Sequence, residues 1–466
     1  MNGNSHFRRS GTPAFSSSFL MKHLNQYIFI PFVMLLFLGL SCKRTQPLSK
    51  LFAKQTPREK YEQTLGKANL LETSMGKKWV EAGENALKDS LTINLPFQEV
   101  GFFSVDKPQA ISYRMIGRRG ELLTVNISTI PDRLVLFLDL LEVQPGLPQQ
   151  IKHIVSADTT DRGLTHEFDA DGEYLLRLQP ELLQGGKYTI SITARGAMSF
   201  PVQSKESRHV GSFFGVDRDG GRRRHEGVDI FAAKHTPAVA ATEGVITRVN
   251  ENRLGGKVVW LRDSKRQQTL YYAHLDSQMV RPGQKVFPGD TIGLIGNTGN
   301  AKFTPPHLHF GIYTYGFGAI DPFPSINTDW GQLAPIVADQ QAIGQWYRTK
   351  STSNIRRAPS AKADILLQLP KSTPIYVQGA SDNWYRAILP DGASGYVFAN
   401  LVENATNSIR LQIMEHSTTL FTSPLLSAIP VDSIAAESQV EVLGAYGTFL
   451  WVKNERDHVG WIHQEI

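Results

Sequence analysis

Cysteine is almost absent from this 466-residue sequence, which contains only Cys42. A single cysteine cannot form a disulfide within the chain, and it excludes both a disulfide framework and a cysteine-rich zinc finger. Any metal site in this protein must therefore use ligands other than a cluster of thiolates.

A strong excess of either charge is also missing. The 49 lysines and arginines stand against 43 aspartates and glutamates, which gives a formal charge of +6. This excess is too thin for a nucleic-acid-binding protein, although it would suit a weakly anionic partner. Hydrophobic residues make up 41% of the chain and charged residues 20%, so the chain can bury true cores. The length predicts about three domains, with room for about four small ones.

A long apolar run covers residues 27–40. As a helix it would extend about 21 Å, which is short of the roughly 30 Å needed to span a bilayer. A lysine precedes the run and a small residue follows it, so the pattern predicts the apolar core of a signal peptide. A normal positively charged start begins at Met21, and we expect residues 1–20 to be an upstream extension.

The end of this run resembles the lipobox of bacterial lipoproteins. It reads Gly39-Leu40-Ser41-Cys42, in which Gly39 and Leu40 depart from the usual pattern. The resemblance implies a signal and lipoprotein peptide over residues 1–42, with Cys42 as the lipidation site. It also implies an exported protein anchored to a bacterial membrane in the cell envelope, in the periplasm or at the outer membrane. An ordinary secretory peptide with an incidental cysteine is the alternative.

The rest of the sequence predicts a mainly β, multidomain fold. Residues 43–92 are expected to form a helical linker, because Thr56-Pro57-Arg58-Glu59 has the pattern of a capping box with proline at the first helical position. From Leu91 the apolar residues alternate between Gly, Pro and Asp turns, which predicts an antiparallel β-sandwich over 93–203. Residues 205–330 are again rich in glycine and strands.

A divergent internal repeat occupies the C-terminal part, as units 343–404 and 405–466. Each unit has a hydrophobic-Trp strand, at Trp384 and Trp451, followed by a Gly-aromatic-aliphatic step at Gly395 and Gly460. The unequal Trp-to-Gly spacing predicts hairpins of different turn length. We expect both tryptophans to pack in the core.

Six of the 13 histidines lie between His209 and His309. In Pro306-His307-Leu308-His309-Phe310 the histidines alternate with apolar residues, so we predict a strand with both on one face. Their Cα atoms would lie about 6.6–6.8 Å apart. Two imidazoles placed in this way can converge on one small site, which is a common way to supply zinc with nitrogen ligands.

A second motif, His225-Glu226-Gly227-Val228-Asp229, offers an imidazole and a carboxylate. Gly227 and β-branched Val228 argue against a helix, and full extension would separate the outer Cα atoms by about 13 Å. The chain must therefore bend, and Gly227 is where it can do so. Two histidines and an aspartate would leave one tetrahedral position open, as in catalytic zinc sites. A third motif contains His274, which in isolation would more often be a buried, satisfied residue.

Together these motifs resemble the lysostaphin-type zinc metallopeptidase domain. The resemblance runs from Ser212 to Pro322 and includes, in the family's order, SFFGVDRDGGRRRHEGVDIF, YYAHLD, VFPGDTIGLIGNTGN and PPHLHFGIY. It departs from the family where Phe303-Thr304-Pro305-Pro306 replaces the usual Ser-Thr-Gly-Pro, which should stiffen the edge of the groove. The resemblance implies a compact antiparallel β domain over 205–330, with a groove above the metal.

The resemblance also implies the site residues. His225, Asp229 and His309 correspond to the ligands of one zinc ion, and His274 and His307 to two catalytic histidines that do not bind it. Glu226 is set aside as a general base, because its strand-like context points it away from the ligands. We expect His235 to be structural and Arg222–Arg224 to be a solvated basic loop, although the arginines would also suit an anionic wall polymer.

The two C-terminal units resemble bacterial SH3-like domains, which commonly bind cell-wall peptides. The whole chain is therefore predicted to be an exported zinc metalloendopeptidase that cuts peptide stems or cross-links of peptidoglycan. Its expected partners are peptidoglycan and, through the lipid anchor, a membrane, but no nucleic acid. Two alternatives are a non-enzymatic wall-binding activator of a separate amidase and a zinc peptidase acting on a protein substrate.

Overall fold

A computed structural model of the chain describes residues 55–88, 90–146 and 150–464. The predicted signal peptide, the start at Met21 and the lipidation site Cys42 lie outside these residues. Strands make up 48% of the structure and helices 10%, so the predicted mainly β fold class is confirmed. Within the described ranges, no helix has the length and apolarity needed to cross a membrane.

Two helices precede the first strands, α1 (Pro57–Lys67) and α2 (Ser74–Lys88). Helix α1 begins with the predicted capping box, in which Thr56 and Glu59 bond each other's backbone N–H groups. Trp79 of α2 is fully buried and donates its indole N–H to the carbonyl of Pro180 at 2.8 Å. The segment expected as a linker thus packs on the sheet that follows it.

The β-sandwich has two sheets. The first has the order β1-β3-β8-β5-β6, and the second contains β2-β9-β4-β7. All neighbouring strands are antiparallel except the short pair β1–β3. The strands are β1 Leu91–Thr92, β2 Phe97–Phe103, β3 Ile111–Gly117, β4 Glu121–Ile130, β5 Leu136–Gln144, β6 Gln150–Ser156, β7 Gly163–Glu167, β8 Gly172–Pro180 and β9 Gly186–Gly196.

The central domain is built on a sheet of order β10-β13-β20-β17-β16-β15-β18, with β14, β19 and β21 paired beside it and β11–β12 as a separate hairpin. Arg266 joins this domain to the sandwich, since it contacts both Asp263 and Glu167. The elements are β10 Val210–Ser212, β11 Asp217–Arg218, β12 Arg223–Arg224, β13 Val228–Phe231, β14 Pro237–Val239, β15 Gly244–Asn252, β16 Gly256–Asp263, β17 Gln268–Gln278, β18 Lys285–Val286, β19 Thr291–Ile295, β20 His307–Thr314, β21 Gly318–Ile320 and helix α3 Phe323–Ile326.

Two C-terminal units follow. The first unit contains β22 Trp346–Thr349, β23 Ser353–Arg356, β24 Ile365–Leu369, β25 Pro374–Ser381, β26 Trp384–Ile388, β27 Ser394–Phe398 and β28 Val402–Asn404. The second unit contains β29 Arg410–Ile413, β30 Thr418–Phe421, β31 Pro430–Ile434, β32 Gln439–Tyr446, β33 Phe449–Lys453 and β34 Val459–His463.

The units repeat, but not in the register expected from their tryptophans. Trp384 begins β26 and pairs with Phe398, whereas the residue that begins β33 is Phe449. Trp451 pairs with Trp461 in the second unit, and Arg386 pairs with Tyr396 in the first. The residue that corresponds to Trp451 is therefore Arg386. The two hairpin turns have the same length, so the predicted match of Trp384 with Trp451 is wrong by two residues. Both tryptophans are nevertheless buried, as expected.

The first unit continues a sheet of the sandwich. Strand β25 pairs with β2 through Val100↔Ala380 and Gly101↔Gly379, which makes one sheet of 11 strands. Glu99 and Arg386 are 0% and 2% exposed at their side chains, and they form an ion pair of 3.0 Å across this junction. Buried charges need partners, and the hydroxyl groups of Tyr113, Tyr188 and Tyr396 complete the network.

This buried pair gives a stability prediction. Arg386→Leu leaves the Glu99 carboxylate buried without its cation, and we expect the free energy of unfolding to fall by about 3–5 kcal/mol. Lys77→Ala, which breaks an exposed pair with Glu72, should cost less than about 1 kcal/mol. Urea unfolding followed by tryptophan fluorescence measures both. A loss no larger for Arg386→Leu than for Lys77→Ala would contradict the prediction.

Candidate metal centre

One row of residues crosses four neighbouring strands of the central sheet. Ser212 of β10 stands opposite Asp229 of β13, which stands opposite His309 of β20, which in turn faces Ala273 of β17. Directly opposed residues point to the same face of a sheet. All four line one groove of about 700 Å³, so the register alone brings Asp229 and His309 together.

His225, three residues before β13, completes a triangle with these two side chains. Its Nε2 lies 3.0 Å from Asp229 Oδ1 and 3.0 Å from His309 Nδ1, and the latter two atoms are also 3.0 Å apart. In a tetrahedral zinc site with bonds of 2.0–2.1 Å, ligand atoms are separated by about 3.3 Å. The triangle therefore matches a small cation in size and in donor chemistry, and these three residues would hold the metal.

Backbone and side-chain partners orient the triangle. His225 donates its Nδ1–H to the carbonyl of Phe213 at 2.8 Å, which leaves the Nε2 lone pair for the cluster. Asp229 accepts a bond of 2.7 Å at Oδ2 from Arg218, which also donates to Ser212. Burial alone would raise the pKa of Asp229, but its interactions with His225 and His309 hold it well below its usual range. Burial lowers the pKa of His309.

Gly227 is needed here for space. A Cβ atom at this position would lie 2.4 Å from the carbonyl oxygen of Phe310 and 2.9 Å from the ring of His309. No other residue fits without displacing the strand or the ring. The turn that was expected to use the flexibility of glycine thus depends on its lack of a side chain.

A β-bulge and a left-handed backbone conformation place His274. Between the pairs Lys257↔Leu275 and Val259↔Tyr272, strand β17 carries one more residue than β16. His274 has φ 63°, and its backbone N–H bonds the carbonyl of Gly255 at 2.7 Å. Bulges redirect side chains beside active sites, and His274 lines the groove although its neighbour Tyr272 is fully buried.

His274 and His307 are held in the same way. His274 donates Nδ1–H to the carbonyl of Thr298 at 2.9 Å, and His307 donates Nδ1–H to that of Pro305 at 2.8 Å. Each ring therefore keeps Nε2 as an acceptor. The ring centroids are 5.0 Å apart, and His307 Nε2 lies 3.9 Å from Asp229 Oδ1. Burial, followed by the neighbouring His307 and His309, lowers the pKa of His274 to about 4.

The other residues considered from the sequence lie at the rim or away from the cluster. Glu226 accepts a bond of 3.1 Å from the hydroxyl of Tyr313 on the groove wall. His235 is exposed and lies 3.2 Å from Asp276. Arg223 pairs with Asp219. Of the stretch 303–306, Phe303 is fully exposed, whereas Pro305 supplies the carbonyl that holds His307.

Sequence reasoning did not single out Arg218 or the aromatic residues Trp260, Tyr271 and Tyr313 of the groove. Arg218 stands in a polar stretch whose spacing gives no reason to connect it with Asp229. The aromatic residues follow the alternation of their strands, so they could be recognised only as residues of one face, not as neighbours of the metal ligands.

The triangle predicts how metal content responds to substitution. His309→Ala or Asp229→Asn removes one of three ligands, and we expect zinc in the purified protein to fall from one ion per chain to a small fraction. His235→Ala, a histidine outside the triangle, should leave the content unchanged. Elemental analysis after dialysis measures this. Full zinc occupancy in the His309→Ala variant would contradict the ligand assignment.

The burial of His274 predicts its titration. Because its pKa is lowered to about 4, its imidazole should stay neutral from neutral pH down to about pH 5 in the metal-free protein, whereas an ordinary exposed histidine titrates near 6.5. Nitrogen-15 NMR of histidine-labelled protein measures the midpoint, and the signal missing in His274→Asn gives the assignment. A midpoint near 6.5 would contradict the prediction.

Comparison with known proteins identifies two domains of this chain. The sequence profile of peptidase family M23 matches residues 223–322, and that of the bacterial SH3 domain matches residues 351–403. The L-Ala--D-Glu endopeptidase of Bacillus subtilis is 35% identical over 142 residues, which are 28% of this chain and 43% of the relative. The peptidoglycan DD-endopeptidase ShyC of Vibrio cholerae is 37% identical over 107 residues, 22% of this chain and 24% of that protein.

The chain thus spans less than half the length of these curated relatives. Among solved structures, the catalytic domain of lysostaphin from Staphylococcus simulans is 33% identical, with 24% of this chain and 88% of that chain covered and a TM-score of 0.23. The family matches and the named relatives identify the domains. The chain contains a lysostaphin-type peptidase family M23 domain followed by a bacterial SH3 domain.

Proposed function

We propose that this protein is a zinc metalloendopeptidase that hydrolyses peptide bonds in the stems or cross-links of peptidoglycan. One observation carries the proposal: an intact triangle of His225, Asp229 and His309 lies in an open groove beside two further histidines. A regulator that had lost catalysis would have no need to keep all five side chains in this arrangement.

The groove supplies acid–base groups for such a reaction. When bound, zinc would provide Lewis acidity, which lowers the pKa of water toward about 7 and polarises a carbonyl group. His274 and His307 each present an unprotonated Nε2, so either can accept a proton from the attacking water and return it to the leaving amine. Their carbonyl partners at Thr298 and Pro305 fix the tautomer that makes this possible.

The substrate class rests on the relatives. The L-Ala--D-Glu endopeptidase and the peptidoglycan DD-endopeptidase are 35% and 37% identical to this chain over 142 and 107 residues, and the peptidase family match covers residues 223–322, which carry the candidate centre. The bacterial SH3 domain supports the same assignment, because the resemblance implies an affinity for cell-wall peptides. We extend the proposal to export and to lipid anchoring at Cys42 in the cell envelope, which rests on the signal-like sequence alone.

The decisive experiment is digestion of purified peptidoglycan. We expect the protein to release soluble peptide-bearing fragments, a chelator to abolish the release and added zinc to restore it. His309→Ala should lower the rate at least about 100-fold through loss of a ligand, and His274→Ala or His307→Ala about 100- to 10,000-fold through loss of acid–base catalysis. His235→Ala is the matched control and should retain the parental rate.

Other outcomes separate the alternatives. If peptidoglycan stays intact while an added amidase becomes more active, the protein is a regulator. If casein is degraded and peptidoglycan is not, the protein is a peptidase for protein substrates. Full activity in His307→Ala would remove that residue from the catalytic pair.

A further inference from the structure

Three aromatic side chains form one wall of the groove next to the candidate metal centre. We call Trp260, Tyr271 and Tyr313 the aromatic wall. The ring centroids of Trp260 and Tyr271 are 4.3 Å apart, and Tyr313 lies 5.8 Å from the first and 6.2 Å from the second. The ring centroid of Tyr271 is 5.9 Å from that of His309, so the aromatic wall adjoins the candidate metal ligand His309.

The strand register explains how the wall is built. Trp260 stands opposite Tyr271, which stands opposite Gly311, two residues along β20 from His309. A Cβ at Gly311 would lie 3.1 Å from the carbonyl oxygen of Glu226, 3.2 Å from the Tyr313 ring and 3.7 Å from Tyr271 Cβ. Glycine at this position therefore lets Glu226 and the Tyr313 ring pack closely against β20.

The position of the wall matches the spacing of an extended substrate. Along β20, Gly311 lies about 6.7 Å and Tyr313 about 13 Å from His309, since a strand rises about 3.3–3.4 Å per residue. An extended peptide has nearly the same rise. A substrate bound parallel to β20 would thus place on the wall a side chain two to four residues from the bond that is cut.

Charge decides which side chain fits. Glu226 contributes a carboxylate to this side of the groove, where it accepts a bond from the hydroxyl of Tyr313. The arginines that line the groove are already paired, Arg218 with Asp229 at 2.7 Å and Arg223 with Asp219 at 3.1 Å. Within the described ranges, no cationic side chain lies within 4.0 Å of the Glu226 carboxylate. The wall therefore combines aromatic faces with a carboxylate that forms no salt bridge in the described part of the chain, while the charge of Arg223 acts on the neighbouring Tyr313.

We propose that the aromatic wall and Glu226 form a specificity subsite for a substrate residue whose side chain ends in a protonated amine. An ammonium group gains a cation–π interaction with the rings and a charge-assisted bond to Glu226. A neutral side chain would desolvate Glu226 without compensation, and an acidic one would be repelled. The proposal rests on the proposed peptidase function and adds the chemical class of one substrate position.

Binding of two tripeptides tests this subsite without catalysis. The probes are L-Ala-D-Glu-L-Lys and the same peptide with its lysine Nε-acetylated, and the protein is the purified chain depleted of metal with a chelator. We expect isothermal titration calorimetry to show tighter binding of the free amine by about 3- to 30-fold. The preference should fall below about twofold in Glu226→Gln and be reduced in Trp260→Leu, which retains the carboxylate. Glu415→Gln, an exposed carboxylate of the second C-terminal unit, should keep the full preference.

Several results would overturn the subsite. These are equal affinity of the two peptides for the parental protein, no measurable binding of the free amine, or an unchanged preference in both Glu226→Gln and Trp260→Leu. Peptidoglycan digestion keeps this outcome separate from the proposed function. Chelator-sensitive digestion without a preference for the amine removes the subsite alone, whereas a preference without digestion removes the peptidase function alone.

Discussion

The register of β13, β20 and β17 is the constraint on which the rest of the site depends. It aligns Asp229, His309 and Ala273 in one row, and a slip of a single residue would turn the side chains of Asp229 and His309 into the core. The side chains of His225, Asp229 and His309 cannot set this register, because three polar groups 3.0 Å apart are stable together only with a proton or a cation among them. The apolar residues on the opposite face must set it. They are Val228, Ile230, Leu308 and Phe310, all fully buried, and each contributes about 1.5–3 kcal/mol.

The polar residues of the site and the apolar residues that set the strand register thus have separate roles. This separation explains which parts of the site could be predicted from sequence. Alternation is local, so the strand around His307 and His309 and the common face of the two rings could be predicted from their spacing. The convergence of His225 with Asp229 required the bend at Gly227, which was also recognisable. The distance between the two motifs along the chain, however, carries no information about register, and only the resemblance to a family connected them.

His274 shows where local patterns fail. Simple alternation after Tyr272 would place Ala273 on one face and His274 on the buried face, as expected for a satisfied core histidine. The bulge reverses this, and it is held by bonds to Gly255 and Gly296, which come from other parts of the chain. The residue types around His274 give no indication that its φ is left-handed. The same non-local origin hides the bond between Arg218 and Asp229.

The C-terminal repeat adds a second kind of constraint, because both units dock on the preceding domain through equivalent positions. Ala380 pairs with β2 of the sandwich, and Ala445, 65 positions later, bonds the carbonyl of Ser372 in the first unit. Arg386 meets Glu99 at the first junction, whereas Trp451, its counterpart, packs 5.2 Å from the ring of Trp346 at the second. The domain against which each unit packs thus determines the residue type at this position. Matching the two units by their tryptophans therefore gave the wrong register.

This docking has a consequence for the surfaces that the units can offer. Tyr396 is fully buried at the first junction and Trp461 is 3% exposed at the second, so the equivalent aromatic face of each unit is already occupied. A cell-wall peptide cannot use that face without separating the domains, which at the first junction would expose the paired charges of Glu99 and Arg386. Any wall ligand of these units must therefore bind elsewhere on them. The groove of the central domain, by contrast, is open to a ligand without any separation of domains.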